Sequence, residues 1–176
     1  QSGYLCAALL TERLRPEDVK LITVVRIIRD KARQSDPTVN RREGFSDYIM
    51  ENFPACRIEN FFIDPSHPEL IEAALQELTE DRKLVVMFNS RVHLLSSFLQ
   101  KHPSPGRRVI GFDNLDRNME ALRSGLVTLL IAQHTERQSI RAVETLADYI
   151  IFGKKPLNRD NYVHMDILSR LNIDNY

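Results

Sequence analysis

The chain has 176 residues, 24 basic and 24 acidic side chains that cancel, two cysteines, no tryptophan and a hydrophobic share of 43%. That length allows one well-formed core or one and a half, but not two full domains with a cleft between them. Balanced charge gives no face-wide field to hold a polyanion, which argues against nucleic-acid binding by these residues themselves. The composition also excludes collagen-like and disordered classes.

In chain order, amphipathic helical patterns alternate with short β-rich runs. Tyr4–Leu14 reads as a helix and Lys20–Arg26 (KLITVVR) as a strand. Helix Arg41–Asn52 and strand Arg57–Ile63 (RIENFFI) follow, then helix Pro68–Thr79. In that helix Leu70, Ile71, Ala74, Leu75 and Leu78 recur at helical spacing, with Glu72, Glu77 and Glu80 on the other side. Ser66-His67-Pro68-Glu69 before it has capping-box form, with a proline in the first turn. Strand Leu84–Phe88, helix Val92–His102, strand Arg108–Phe112, helix Asp116–Arg123 and strand Leu126–Ala132 continue the rhythm. Connections this short predict parallel strands and an α/β layered domain, and near-continuous apolar strands predict a sheet covered on both faces.

The tail departs from the rhythm. Thr135–Phe152 is the longest helical pattern, with Ile140, Val143, Ala147, Ile150 and Ile151 on one stripe, ended by Gly153-Lys154-Lys155-Pro156. Asp160–Asp166 then alternates as a final strand.

Cys6 and Cys56 form no C-x-x-C, and no cysteine–histidine cluster has zinc-ligand spacing. The five histidines, His67, His93, His102, His134 and His164, make no H-x-x-x-H or H-E-x-x-H pair. The spacing therefore predicts neither a metal site nor a disulfide framework. The apolar runs Leu21–Val25 and Leu129–Ala132 are far short of the roughly 20 residues that cross a bilayer. The start, Gln-Ser-Gly-Tyr-Leu, has no signal-peptide order. The expectation is a cytoplasmic piece of something longer, without a membrane partner.

Open parallel sheets collect ligands at the carboxyl ends of their strands. The residues there are Asp36–Arg41, Asp64–Ser66, Asn89-Ser90-Arg91, Asp113-Asn114 and Gln133-His134. A guanidinium fork, carboxylates and carboxamides suit vicinal sugar hydroxyls or the edges of a base. The plainer reading of Asp36, Asp64 and Asn114 is caps and turns. A nucleophile elbow, a phosphate loop and a dinucleotide fingerprint are all lacking, and six glycines leave little for a phosphate cradle. Arg41-Arg42 and Lys154-Lys155 read as solvated surface. No cofactor is implied, and an enzyme using Asp113 and His134 as an acid–base pair stands behind a binding protein.

Four ordered segments carry a resemblance: the opening Gln-Ser-Gly-Tyr-Leu (1–5), Asn-Arg-Arg-Glu-Gly-Phe (40–45), Val-Ile-Gly-Phe-Asp (109–113) and Leu-Leu-Ile-Ala-Gln (129–133). Together the chain resembles the effector-binding module of LacI/GalR-type transcription regulators and the related sugar-binding periplasmic proteins. The resemblance implies one Rossmann-like lobe of a type I periplasmic-binding-protein-like fold, mainly the C-terminal subdomain. It divides the chain into residues 1–132, a crossover helix at 133–156 that packs on a missing subdomain, and a returning strand and tail at 157–176. It further implies a small effector, a sugar, and DNA contacts only through a headpiece outside this chain. A homodimer is expected, domain-swapped or helix-mediated, with the helix stripe covered by a second copy, or else folded onto its own sheet. Position by position, Arg41, Asn89 and Asp113 match ligand-contacting residues and Gln133 the crossover, while Phe88 and Phe112 either stack on the ligand or belong to the core. Ser90-Arg91 and Asp64-Pro65 depart from the family pattern. The runner-up is a solute receptor for sugar uptake.

Overall fold

A computed structural model describes residues 1–27, 36–76, 78, 82–158, 161 and 163–176. Helices α1 (Ser2–Leu10), α2 (Asp36–Asn52), α3 (Pro68–Leu75), α4 (Ser96–Lys101), α5 (Asp116–Arg123) and α6 (Thr135–Phe152) alternate with six strands. These are β1 (Leu21–Ile27), β2 (Arg57–Ile63), β3 (Leu84–Val86), β4 (Arg108–Phe112), β5 (Leu129–Ala132) and β6 (Asp166–Leu168), in one sheet of order β2-β1-β3-β4-β5-β6. The predicted elements Arg57–Ile63, Arg108–Phe112, Asp116–Arg123 and Thr135–Phe152 have the boundaries expected of them.

Successive strand residues face opposite sides of the sheet, so paired apolar residues supply two cores. Val24, Val86, Ile110 and Phe112 face α1 and α2, meeting Cys6, Leu10, Phe45 and Ile49. Val25, Val85, Val109 and Leu130 face α3, α4 and α5, meeting Leu75, Phe98, Leu99 and Leu122. This is the predicted α/β architecture, with helices on both faces.

Two differences have local causes. The predicted strand start at Leu126 belongs to the turn after α5, because the N–H groups of Leu126 and Val127 close on the carbonyl of Ala121 at 3.0 and 3.1 Å. The predicted capping box does not form: His67 is the N-cap without a side-chain cap bond, and the Ser66 N–H donates to Asp64 Oδ1 at 2.8 Å. The side of α3 assigned to Glu77 and Glu80 lies outside the described residues.

The last strand corrects the expectation of a wholly parallel sheet. β1 to β5 are parallel, but β6 pairs antiparallel with β5, Leu130 opposite Leu168 and Ala132 opposite Asp166. The strand begins at Asp166 rather than ending there, and the open edge of β5 pairs along three residues. Residues 160 and 162 of the predicted run lie outside the described residues.

Helix α6 buries no residue. Ile140, Val143, Leu146, Ile150 and Ile151 are exposed, Ile150 to 70%. The stripe is therefore not folded onto the chain's own sheet. Gly153 ends the helix as expected, at φ 65°, where the left-handed conformation costs a glycine little.

Candidate ligand-binding site

Arg41 sits in the first half of α2, and its placement depends on a contact between helices. A Cβ added at Gly3 of α1 would fall 1.8 Å from the Arg41 carbonyl oxygen, so only glycine lets α1 cross α2 at that point. The crossing directs the Arg41 side chain over the ends of the central strands. There one guanidinium nitrogen, Nη1, donates to the carbonyl of Phe88 after β3, and Nη2 donates to Gln133 Oε1 after β5. The guanidinium carbon lies 4.4 Å from the centre of the Phe112 ring, at the end of β4. One side chain thus ties together the carboxyl ends of three strands. Burial lowers the Arg41 pKa from its ordinary value, and the charge of Asp113 acts against that.

Asp113 follows β4 in the left-handed region, at φ 66°, which Asp tolerates better than most residues. Its N–H donates to the Ile131 carbonyl at 3.0 Å, continuing the ladder beyond the strand. The side chain is half-buried, and Oδ1 is shielded from solvent with no hydrogen-bond partner. Burial raises its pKa, and the Arg41 guanidinium opposes the rise. A buried acceptor without a donor costs about 1–3 kcal/mol, which a donating ligand can recover.

Of the expected site residues, Arg41, Phe88, Phe112 and Gln133 are in contact, and Asp113 interacts electrostatically with Arg41. Asn89 lies beside them, but its side-chain oxygen accepts the Arg91 N–H at 3.0 Å and closes an Asx turn. Both phenylalanines are buried in the core, and Phe88 packs edge-on against Phe45 with centroids 5.3 Å apart. Asp64 closes a turn as in its plainer reading, and the hydrogen bonds from Ser66 lower its pKa against a smaller rise from burial. His134 faces Asp166 and Tyr176, with Nε2 2.8 Å from Asp166 Oδ2 and Nδ1 3.2 Å from the Tyr176 hydroxyl. A groove of about 940 Å³ along α6 is lined by Gln1, Ser2, Arg141, Tyr149 and Met165, and it meets the cluster at Gln133.

Asn118 is the residue that sequence reasoning missed. Fully buried on α5, it donates from Nδ2 toward the carbonyls of Ser90, Phe112 and Asp113 at 3.0, 3.1 and 3.1 Å. Its Oδ1 accepts the His93 N–H at 3.1 Å and lies 2.8 Å from His93 Nδ1. It therefore fixes the loops after β3 and β4 relative to each other, and with them Asp113. The available signal was a polar residue beside Met119 and Leu122 on the inward stripe of α5.

No protein-family model and no curated protein matches the sequence. Solved structures do. A protein from Bacteroides fragilis, provisionally assigned as a LacI transcriptional regulator, is 32% identical and superposes over 100% of this chain with a TM-score of 0.86. A periplasmic solute-binding protein of an ABC transporter from Actinobacillus succinogenes 130z, with bound D-allose, is 18% identical over 99% of the chain, TM-score 0.73. A glucose-galactose binding protein from Geobacillus stearothermophilus is 17% identical over 97%, TM-score 0.74. The chain spans 61%, 61% and 60% of the lengths of these three structures. All three are regulators or binding proteins rather than enzymes. Among the described residues, no helix is long and apolar enough to cross a membrane. The chain resembles the effector domain of a LacI-type regulator in sequence and structure, and it has the type I periplasmic-binding-protein-like fold.

Proposed function

We propose that the chain is the C-terminal ligand-binding lobe of a LacI-type regulator's effector domain and that its ligand is a sugar. The observation that carries this reading is the shielded, unpartnered Oδ1 of Asp113 within the charge field of Arg41. A carboxylate accepts two hydroxyl protons at once, so a vicinal diol of a sugar supplies what the aspartate lacks. Arg41 and Gln133 offer further polar groups at the same strand ends, and Asn89 borders them. Phe88 and Phe112 support Arg41 from the core. The sugar-binding proteins of the same fold support this ligand class.

In this reading residues 1–132 and 157–176 form the lobe, and residues 133–156 cross to a second lobe outside this chain. The exposed apolar stripe of α6 supports the division, since a large apolar patch on a surface marks a site of interaction. Ligand held between two lobes favours the closed form, and the shift in population changes the geometry of a cytoplasmic dimer that carries DNA-reading headpieces. The 32% identity to an assigned regulator favours this over an uptake receptor, since the two solute-binding proteins above are 18% and 17% identical.

Calorimetric titration of the intact protein with a panel of pentoses and hexoses tests the ligand. Losing one charge-assisted hydrogen bond costs about 1.5–3 kcal/mol, so Asp113→Ala is expected to weaken the bound sugar at least about tenfold. An unchanged affinity overturns the site. Sugar-dependent DNA retention by the intact protein supports the regulator, whereas sugar binding without DNA retention supports the receptor.

A further inference from the structure

The geometry points to a divalent transition-metal site at the base of α6, made by His134, His164 and Asp166 and suited to Zn²⁺. His134 precedes α6, and Asp166 opens β6 opposite Ala132 of β5. The antiparallel pairing of β6 therefore brings together ligands that sequence spacing keeps far apart. One ligand atom from each of the three side chains lies within 4.8 Å of the others.

A second observation singles out the place of the ion. Nε2 of His134 is buried and makes no hydrogen bond, yet it stands 2.8 Å from Asp166 Oδ2. At that distance only a proton fits between the two atoms, so an ion bound by both would sit beside the line joining them and part them to ~3.4 Å. The Tyr176 hydroxyl stands at the other ring nitrogen of His134. A hydroxyl 3.2 Å from Nδ1 can accept the ring proton once an ion takes Nε2, the outer-shell arrangement usual for metal-bound histidine.

Two imidazoles and one carboxylate match zinc and its first-row neighbours rather than Ca²⁺ or Mg²⁺, which take oxygen ligands. Zinc donors at ~2.0–2.1 Å in a tetrahedron stand ~3.4 Å apart, less than the 4.8 Å spread of this group. Binding must therefore draw in the ring of His164, which is exposed and whose centroid is 4.9 Å from that of His134. Arg137 Nη1 lies 3.4 Å from His164 Nε2, so the ion takes the other ring nitrogen or displaces the guanidinium. The bound ion would clamp the end of β5 to the start of β6, one residue from Gln133 and its bond to Arg41.

The test uses Co²⁺ as a coloured probe on the chelator-treated full chain. One saturable equivalent is expected, with visible d–d absorption that Zn²⁺ abolishes and a melting temperature raised by either ion. His164→Gln and Asp166→Asn should each weaken cobalt at least about tenfold, with the metal-free circular dichroism spectrum unchanged. His164 is exposed, so its substitution decides the matter even where Asp166→Asn disturbs the fold. Absence of a saturable d–d band, or unchanged affinity in His164→Gln, overturns the site.

Discussion

Replacing Asn118 tests whether one buried amide holds the candidate site in shape. Its Nδ2 has two protons shared among three carbonyls, and its Oδ1 takes two contacts from His93. About four hydrogen bonds are therefore lost in Asn118→Ala, each worth ~1 kcal/mol net. Ser90 and His93 are half-buried and can regain water, which reduces the loss to about 3 kcal/mol. At ~2–4 °C per kcal/mol for a chain of this size, the melting temperature should fall about 6–12 °C. Asn118→Asp preserves the shape and the acceptor toward the His93 N–H, but it turns a carboxylate oxygen toward three carbonyl oxygens. It should destabilise at least as much as alanine at neutral pH and recover partly in acid, where a protonated carboxyl can donate. Thermal and urea unfolding followed by circular dichroism measure both variants. A loss under about 1 kcal/mol in Asn118→Ala, or wild-type stability of Asn118→Asp at pH 7, refutes the proposed role.

Three further outcomes are expected. Burial raises the Asp113 pKa above its ordinary 3.8, so the folded chain holds this proton more tightly than the unfolded one. The resulting stabilisation is complete below the ordinary value and is lost as pH rises through the folded value. Asp113→Asn should therefore raise the ligand-free melting temperature at pH 7, with a gain that vanishes toward pH ~4; an equal gain at both pH values contradicts this. Gly3→Ala drives a Cβ into the Arg41 carbonyl and should cost about 1–3 kcal/mol, whereas Gly44→Ala, whose Cβ would sit 3.4 Å from the Tyr4 nitrogen, should be neutral or stabilising. Equal urea midpoints for the two variants contradict the helix-crossing argument. If a second copy covers α6, sedimentation of the chain depends on concentration, and Val143→Asp with Ile150→Asp abolishes the dependence without lowering the melting temperature. A wild-type chain that stays monomeric at high concentration removes self-association.

The apolar periods of 2 and 3.6 residues determined the alternation of helices and strands. Residue pairs such as Val24-Val25, Val85-Val86 and Val109-Ile110 already implied a sheet covered on both sides. Strand ends were legible for the same reason, and they placed Arg41, Asn89, Asp113 and Gln133 on one rim. Sequence did not show that Phe88 and Phe112 are buried beneath Arg41, or that the Asn89 oxygen is engaged by its own turn, because those choices depend on packing and local geometry.

The antiparallel run of β6, the support from Asn118 and the meeting of His134 with His164 and Asp166 arise only in three dimensions. Each joins groups far apart in the chain, and local spacing carries no information about such a pairing. The apolar stripe of α6 lies between the two cases. Its period was plain in the sequence, while its exposure follows from the absence of any face of this sheet packed against it.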